Sequence, residues 1–332
     1  MIDTHMHLNP DLLSPEIKQE PIRTGFGRGL VAAGEANANV VALCADLTDS
    51  TKMGDFAKSF PDRFVEIGVA EQNLVTVAAG MSLAGKIPFA SSYAAFSPGR
   101  NWEQIRTTIC LNEANVKIAG SHAGVSVGPD GATHQMLEDI ALMRVLPKMT
   151  VIVPCDAVEA EKATRALASH VGPGYIRLAR EKSPVMTTDK TPFALGKAQV
   201  LRTGGDLTIV ACGTMVYYAL MAAEELSVKH KIEVEVINAA VIKPLDTVTI
   251  VASARKTGAV LTAEEAQIAG GLGGAVAETL AEHHPVPMAR LGMQDRFGES
   301  GKPEELLEHF GLTTPGFVAK ALELMERKAA AS

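Results

Sequence analysis

Arg63-Phe64-Val65-Glu66-Ile67-Gly68-Val69-Ala70-Glu71-Gln72 runs from a short apolar strand, through a turn at Gly68, into a helix that Glu71 opens. The helical pattern continues over Glu71–Leu83. The same change of period recurs along the chain. Strand candidates at 40–45, 64–67, 87–90, 116–119 and 150–153 alternate with helical stretches such as Glu71–Leu83 and Ala157–Ser169. Strands separated by helices pair in parallel, and such a sheet is covered on both faces. The first half of the chain therefore reads as an α/β domain.

The rhythm breaks at 182–196, where Pro184, Thr187, Thr188, Asp189, Lys190 and Pro192 give a polar, turn-rich linker. It restarts with a strand at Leu207–Ala211, a helix at 215–226 and a strand at 233–237. Further elements at 259–262, 274–282 and 287–291 complete a second, smaller α/β domain. The organisation expected is an arm at 1–20, a domain at 21–181, the linker, a domain at 197–327 and a fraying tail at 328–332.

The 332 residues are 47% hydrophobic and 21% charged, with net charge −7. No basic block exists to neutralise a nucleic-acid backbone or an anionic membrane, so neither partner is expected. No stretch approaches the length of a membrane span, and Met1-Ile2-Asp3-Thr4-His5 lacks the pattern of a secretory leader. Cys44, Cys110, Cys155 and Cys212 lie far apart, without metal-ligand or disulfide spacing, which points to a reducing cytoplasm.

Asp3-Thr4-His5-Met6-His7 has the histidine spacing of a metal-dependent hydrolase. Asn9-Pro10 follows at once and the rhythm of an eight-stranded barrel is absent, so the reading is a solvent-exposed arm with no metal. Glu71 is more informative, because ligand sites in open α/β sheets lie at the carboxyl ends of strands. Alone, it also reads as an acidic residue in a helix's first turn. Tyr93 and Phe96 then stand after another strand, in a chain with only 5% aromatics, and invite a flat ligand. Finally Ser121-His122-Ala123-Gly124-Val125-Ser126-Val127-Gly128-Pro129-Asp130-Gly131-Ala132-Thr133-His134-Gln135 forms a long polar loop after a third strand, the kind of loop that carries function.

Gly68-Val69-Ala70-Glu71-Gln72, Ser121-His122, 130–135 and Pro154-Cys155-Asp156 occur in the order found in the pyrimidine-binding domain of transketolase, and Gly271-Leu272-Gly273-Gly274 continues the likeness into that family's C-terminal domain. The chain resembles the C-terminal subunit of a split, two-gene transketolase from about residue 21 to 321. The resemblance implies an α/β fold with a parallel-sheet pyrimidine-binding domain followed by the smaller C-terminal domain. It implies transfer of a two-carbon ketol unit between sugar phosphates, using thiamine diphosphate. Glu71 matches the glutamate at N1′ of the cofactor's aminopyrimidine, which favours the form whose exocyclic nitrogen is basic. Phe96 matches the aromatic stacked on that ring, Tyr93 an aromatic of the same pocket, and Asp46 an acidic residue near the thiazolium. Arg23, Ser50, His122 and Arg180 match the residues gripping the sugar phosphate, where forked guanidinium donors suit the oxygens. Asp130 and His134 match contacts to substrate hydroxyls, His134 also lying close to the cofactor.

Ala123 and Ser97-Pro98-Gly99 depart from the family pattern and bear on sugar preference. Gly204-Gly205-Asp206 opens the second domain and is not the family's Gly-Asp-Gly motif. The diphosphate and its Mg2+ or Ca2+ are therefore expected on a separate N-terminal subunit, in a two-plus-two heterotetramer in which this chain self-associates. Deoxyxylulose-phosphate synthase and the β subunit of a 2-oxo acid dehydrogenase are the alternatives. A non-catalytic subunit with a degenerate site is disfavoured by intact Glu71, Phe96 and His134.

Overall fold

The structure is a computed structural model that describes residues 1–331. A seven-stranded sheet forms the first half, in the order Val241–Lys243, Thr150–Ile152, Gly174–Leu178, Lys117–Ser121, Ile87–Tyr93, Val40–Cys44 and Phe64–Glu66. All neighbours are parallel except the first pair. Val40–Cys44, Lys117–Ser121 and Gly174–Leu178 are buried at every position, as expected of strands covered on both faces. The second sheet has the order Met288–Met293, Val260–Gln267, Leu207–Ala211, Val234–Asn238 and Gln199–Arg202, with the last strand antiparallel.

The two halves are interlocked. Val241–Lys243 leaves the second half and pairs antiparallel with Thr150–Ile152, forming an edge of the first sheet. Buried Val151, Val153, Ile237, Ile242 and Val276 belong to one continuous core across the junction.

Helix Ile22–Ala36 was not expected, because Gly25, Gly27, Gly29 and Gly34 argue against a helix locally. Packing explains them. The helix lies against Ala157–Ser169 so closely that a methyl group on Gly25 would overlap the Ala157 carbonyl, and one on Gly29 would stand 2.7 Å from the Glu161 carbonyl oxygen. Asp156 caps the partner helix, accepting the Glu159 N–H at 2.8 Å, while Glu159 Oε2 accepts the Cys155 N–H at 2.7 Å. Pro154-Cys155-Asp156 thus ends a strand and starts a helix by mutual capping.

Two expectations need correction. The arm at 1–20 is docked rather than solvent-exposed: Leu12 and Ile17 are buried, and Gln19–Pro21 pairs with Lys182–Pro184. The Asp3 N–H donates to the Leu201 carbonyl at 3.0 Å, and Asn9 Nδ2 to the Val185 carbonyl at 2.8 Å. His5 and His7 remain exposed, and among the described residues no group of three His, Cys, Asp or Glu is arranged to hold a metal ion. The expected tail is helical as far as residue 331. Helix Thr314–Ala331 runs through it, with Lys328 Nζ donating to the Asp206 and Thr257 carbonyls; residue 332 lies outside the described residues. No helix among the described residues is long and apolar enough to cross a membrane.

The contact at Gly25 predicts an asymmetric response to alanine. Gly25→Ala should lower unfolding free energy by roughly 1–3 kcal/mol through overpacking. Gly80→Ala, where a methyl group meets nothing within 4 Å, should be neutral or stabilising by up to about 1 kcal/mol. Urea denaturation of the two variants checks this.

Candidate active site

The expected site residues converge at the carboxyl ends of the parallel strands. Glu71 opens its helix with only 2% of its surface accessible. A carboxylate there is favoured by the helix's positive end. Its Oε2 accepts from Arg100 Nη1 at 2.6 Å, and its Oε1 lies 3.4 Å from Ser92 Oγ. Asn101 Nδ2 donates to the Glu71 carbonyl at 2.8 Å. The nearby rings form a cluster. Tyr93 stacks on His122 at 3.8 Å between ring centres and lies 6.1 Å from Phe96, while His134 approaches Phe96 edge-on at 5.4 Å.

A second cluster gathers positive charge. Arg23 donates through Nε to the Arg180 carbonyl at 3.2 Å and through Nη1 to the Ser50 carbonyl at 2.5 Å. Arg180 donates to the Val127 carbonyl at 2.6 Å and pairs with Asp130 at 3.5 Å and Glu181 at 3.4 Å. Burial and then the neighbouring Arg180 lower the pKa of Arg23 from its ordinary value. Two guanidinium groups that oppose each other's charge form a place where an anion relieves the repulsion. His122 lies beside them with Nδ1 2.9 Å from Ser121 Oγ. Burial, then Arg23, Arg180 and His134, push its imidazole down to about 3. It is neutral at pH 7 and meets a ligand as a hydrogen-bonding group.

Asp46 is exposed, just beyond the end of Val40–Cys44, its N–H donating to Glu66 Oε1 at 2.6 Å. Glu66 also accepts from Gly68 N–H at 3.0 Å and from Thr48 Oγ1 at 3.0 Å, tying together two strand-end loops. Asp46 and His122 both take left-handed backbone, with φ of 58° and 57°. Such residues are held only where the surroundings over-determine them.

The long loop is held from the second half of the chain. Gln135 Nε2 donates to the Val125, Gly128 and Glu299 carbonyls, at 3.2, 3.0 and 2.8 Å. Glu265 accepts from the Ser126 N–H at 2.7 Å and from Thr214 Oγ1 at 3.0 Å. Arg100, Ser92, Glu66 and Glu265 were not singled out in the sequence. Arg100 and Ser92 lie beside the aromatics that were, so only their shared contact with Glu71 reveals them. Nothing local marks Glu265 as a brace for a loop 139 residues away.

Family comparison matches residues 18–185 to the transketolase pyrimidine-binding domain and residues 196–316 to the transketolase C-terminal domain. The chain belongs to the transketolase family. It is 43% identical over 310 residues to a putative transketolase C-terminal section of Methanocaldococcus jannaschii, covering 92% of this chain and 97% of that protein. It is also 43% identical over 315 residues to the 6-deoxy-6-sulfo-D-fructose transketolase subunit SqwH of a Clostridium strain, covering 94% of this chain and 98% of that one. Among solved structures, a split-gene transketolase in an inactive β4 tetramer superposes with TM-score 0.87 at 48% identity, over 93% of this chain and 99% of the other. The chain thus carries the pyrimidine-binding and C-terminal domains of a family of ketol transferases that use thiamine diphosphate. These relatives are transketolase chains and lend no support to the synthase or dehydrogenase alternatives.

The transketolase site residues present fit the pyrimidine end of that cofactor. Glu71 Oε1 has one long contact, leaving an acceptor for a ring nitrogen, and partly buried Phe96 presents a ring that the Arg100 guanidinium faces.

The state of His122 has a consequence for stability. Its pKa lies near 3 in the folded chain against an ordinary 6.5, so the unfolded chain takes up a proton first as pH falls. The stabilising contribution is complete above 6.5 and is lost as pH falls from 6.5 towards 3. His122→Asn, which tolerates the left-handed backbone, should lessen the loss of unfolding free energy between pH 7 and 5 by about 2 kcal/mol. Urea denaturation at the two pH values measures it.

Proposed function

We propose that this chain is the half of a two-subunit transketolase that holds the aminopyrimidine of thiamine diphosphate and grips the anionic end of a sugar substrate. The observation that carries this reading is the Glu71 carboxylate, buried beside the half-exposed face of Phe96. When bound, thiamine diphosphate supplies the nucleophilic carbon that accepts and delivers the two-carbon ketol unit. Glu71 holds the proton at N1′, which keeps the exocyclic nitrogen basic. Phe96 supports the ring, and Tyr93 packs the same pocket. Asp46 would stand near the thiazolium, the role its match to the family implies. His134 and Asp130 position substrate hydroxyls, with His134 fixed by the 2.9 Å contact between its Nδ1 and Thr133 Oγ1.

Arg23, Arg180, His122 and Ser50 take the terminal phosphate. The relative that acts on 6-deoxy-6-sulfo-D-fructose supports an anion at this end, since a sulfonate there carries the charge that a phosphate carries in a sugar phosphate. Replacing Arg180 with Gln should raise KM for phosphorylated sugars about 10- to 100-fold, because a charged hydrogen bond is worth roughly 1.5–3 kcal/mol. Unphosphorylated analogues should change little. Steady-state kinetics on both substrate classes decide it, and equal loss for both would assign Arg180 to holding Val127 in place.

The diphosphate and its Mg2+ or Ca2+ belong, in this reading, to an N-terminal partner subunit. The site is open, with Asp46, Asp130 and Arg100 exposed, and the split-gene relative with a β4 tetramer is inactive. Two copies of each chain then form a heterotetramer with sites at the subunit boundary. An obligate interface of this kind buries on the order of 2,000 Å² or more. The four cysteines are free and buried, which suits a reducing cytoplasm, and sugar phosphates rather than nucleic acid or membrane are the partners. The isolated chain should be folded but inactive with thiamine diphosphate, Mg2+ and sugar phosphates, and turnover should appear on adding the diphosphate-binding subunit. A single-chain rate equal to that of the mixture would refute the division.

A further inference from the structure

Arg100 makes two contacts at once. Its Nη1 lies 2.6 Å from Glu71 Oε2, and its guanidinium carbon stands 4.8 Å from the centre of the Phe96 ring. One side chain therefore takes both groups that the reading above assigns to the cofactor's pyrimidine. The guanidinium occupies that face of Phe96 and Glu71 Oε2, so a flat ring stacked there must displace it even if its nitrogen takes Oε1. The side chain of Arg100 is 50% exposed and that of Glu71 is 2% exposed, so the guanidinium covers the carboxylate from the solvent side.

The backbone beneath is anchored. Asn101 Nδ2 bonds the Glu71 carbonyl at 2.8 Å and Ser97 Oγ at 3.1 Å, and Trp102 Nε1 donates to the Leu142 carbonyl at 2.8 Å. None of these anchoring bonds uses an atom of the Arg100 side chain. Both states satisfy Glu71: a cation serves it in one, a ring nitrogen in the other. Leaving a buried carboxylate unpaired is costly, whereas exchanging one partner for another is close to balanced.

We propose that Arg100 is a latch on the cofactor position. It holds Glu71 and Phe96 until an aminopyrimidine ring exchanges for it, and its side chain then turns to solvent. This rests on the assignment of Glu71 to the pyrimidine. The latch lowers apparent cofactor affinity by the fraction of molecules in which it is closed. It also keeps the carboxylate paired in a chain that has not met its partner.

The test is calorimetric titration of thiamine diphosphate, with Mg2+, into the full chain assembled with its diphosphate-binding subunit. Arg100→Met keeps the packing and removes the charge, and should tighten Kd by about three- to tenfold. Glu71→Gln should weaken it. In the chain alone, Arg100→Met should lower the thermal midpoint, because Glu71 loses its charged partner. If the methionine variant does not fold, Arg100→Gln takes its place, with tightening again expected. Unchanged or weaker binding in the Arg100 variant, with weaker binding in Glu71→Gln, overturns the latch and leaves the pyrimidine assignment standing. Unchanged binding in Glu71→Gln overturns both.

Discussion

The Glu71 carboxylate lies out of water, at the start of a helix, among the loops at the carboxyl ends of the parallel strands. A buried charge costs several kcal/mol unless it is paired and hydrogen-bonded, so the elements around it are constrained together. The helix Glu71–Leu83 aims its positive end at the carboxylate. Ile87–Tyr93 brings Ser92 within 3.4 Å, and the segment after it brings Arg100. The same Arg100 side chain also stands over the Phe96 ring, so the carboxylate and the aromatic share one contact.

The second half of the chain contributes through the loop that bears His122, Asp130 and His134. That loop follows a fully buried strand and would be free to move if only its own residues held it. Instead Glu265 and Glu299, both from the second half, bond Ser126 and Gln135 within it. Behind it, Arg177 reaches buried Asp139 at 2.9 Å and the Glu265 carbonyl at 2.8 Å, and Tyr175 donates to Asp139 at 2.6 Å. A buried network of this kind is stable only when every member is satisfied. Its members come from both halves, so the long loop and the domain junction are set by the same bonds. The left-handed backbone at His122 persists inside that frame.

Much of the fold was legible because buried parallel strands are continuous apolar runs and the covering helices are Ala-rich. Glu71–Leu83, Ala157–Ser169 and Leu207–Ala211 have the bounds read from pattern alone. Gly174–Leu178 was not read as a strand, since Arg177 stands inside it. A buried arginine is tolerated there because Asp139, 38 residues earlier, pairs its charge and the Met136 and Glu265 carbonyls accept its other N–H groups. Helix Ile22–Ala36 was hidden by its glycines, whose cost in propensity is outweighed by close approach to a helix more than a hundred residues on. The docked arm and the ordered tail were missed for a related reason: polar, weakly patterned segments take structure from carbonyls elsewhere, as Lys328 does from Asp206 and Thr257.

The division is sharpest at the site. Residue types, order and strand-end positions in the sequence already singled out the group: a carboxylate, two aromatics, two arginines and two histidines beside Gly-containing turns. Periodicity and turn chemistry are local, and the alternation they create puts such residues at one edge of a sheet whatever the details. The pairing of Arg100 with both Glu71 and Phe96, the neutral state of His122 between two guanidinium groups, the bracing by Glu265 and the strand exchanged at Val241–Lys243 have no local signature. Each depends on distances between groups far apart in the chain, or on water being excluded from between them. Those quantities come into existence only when the two sheets close on a common core.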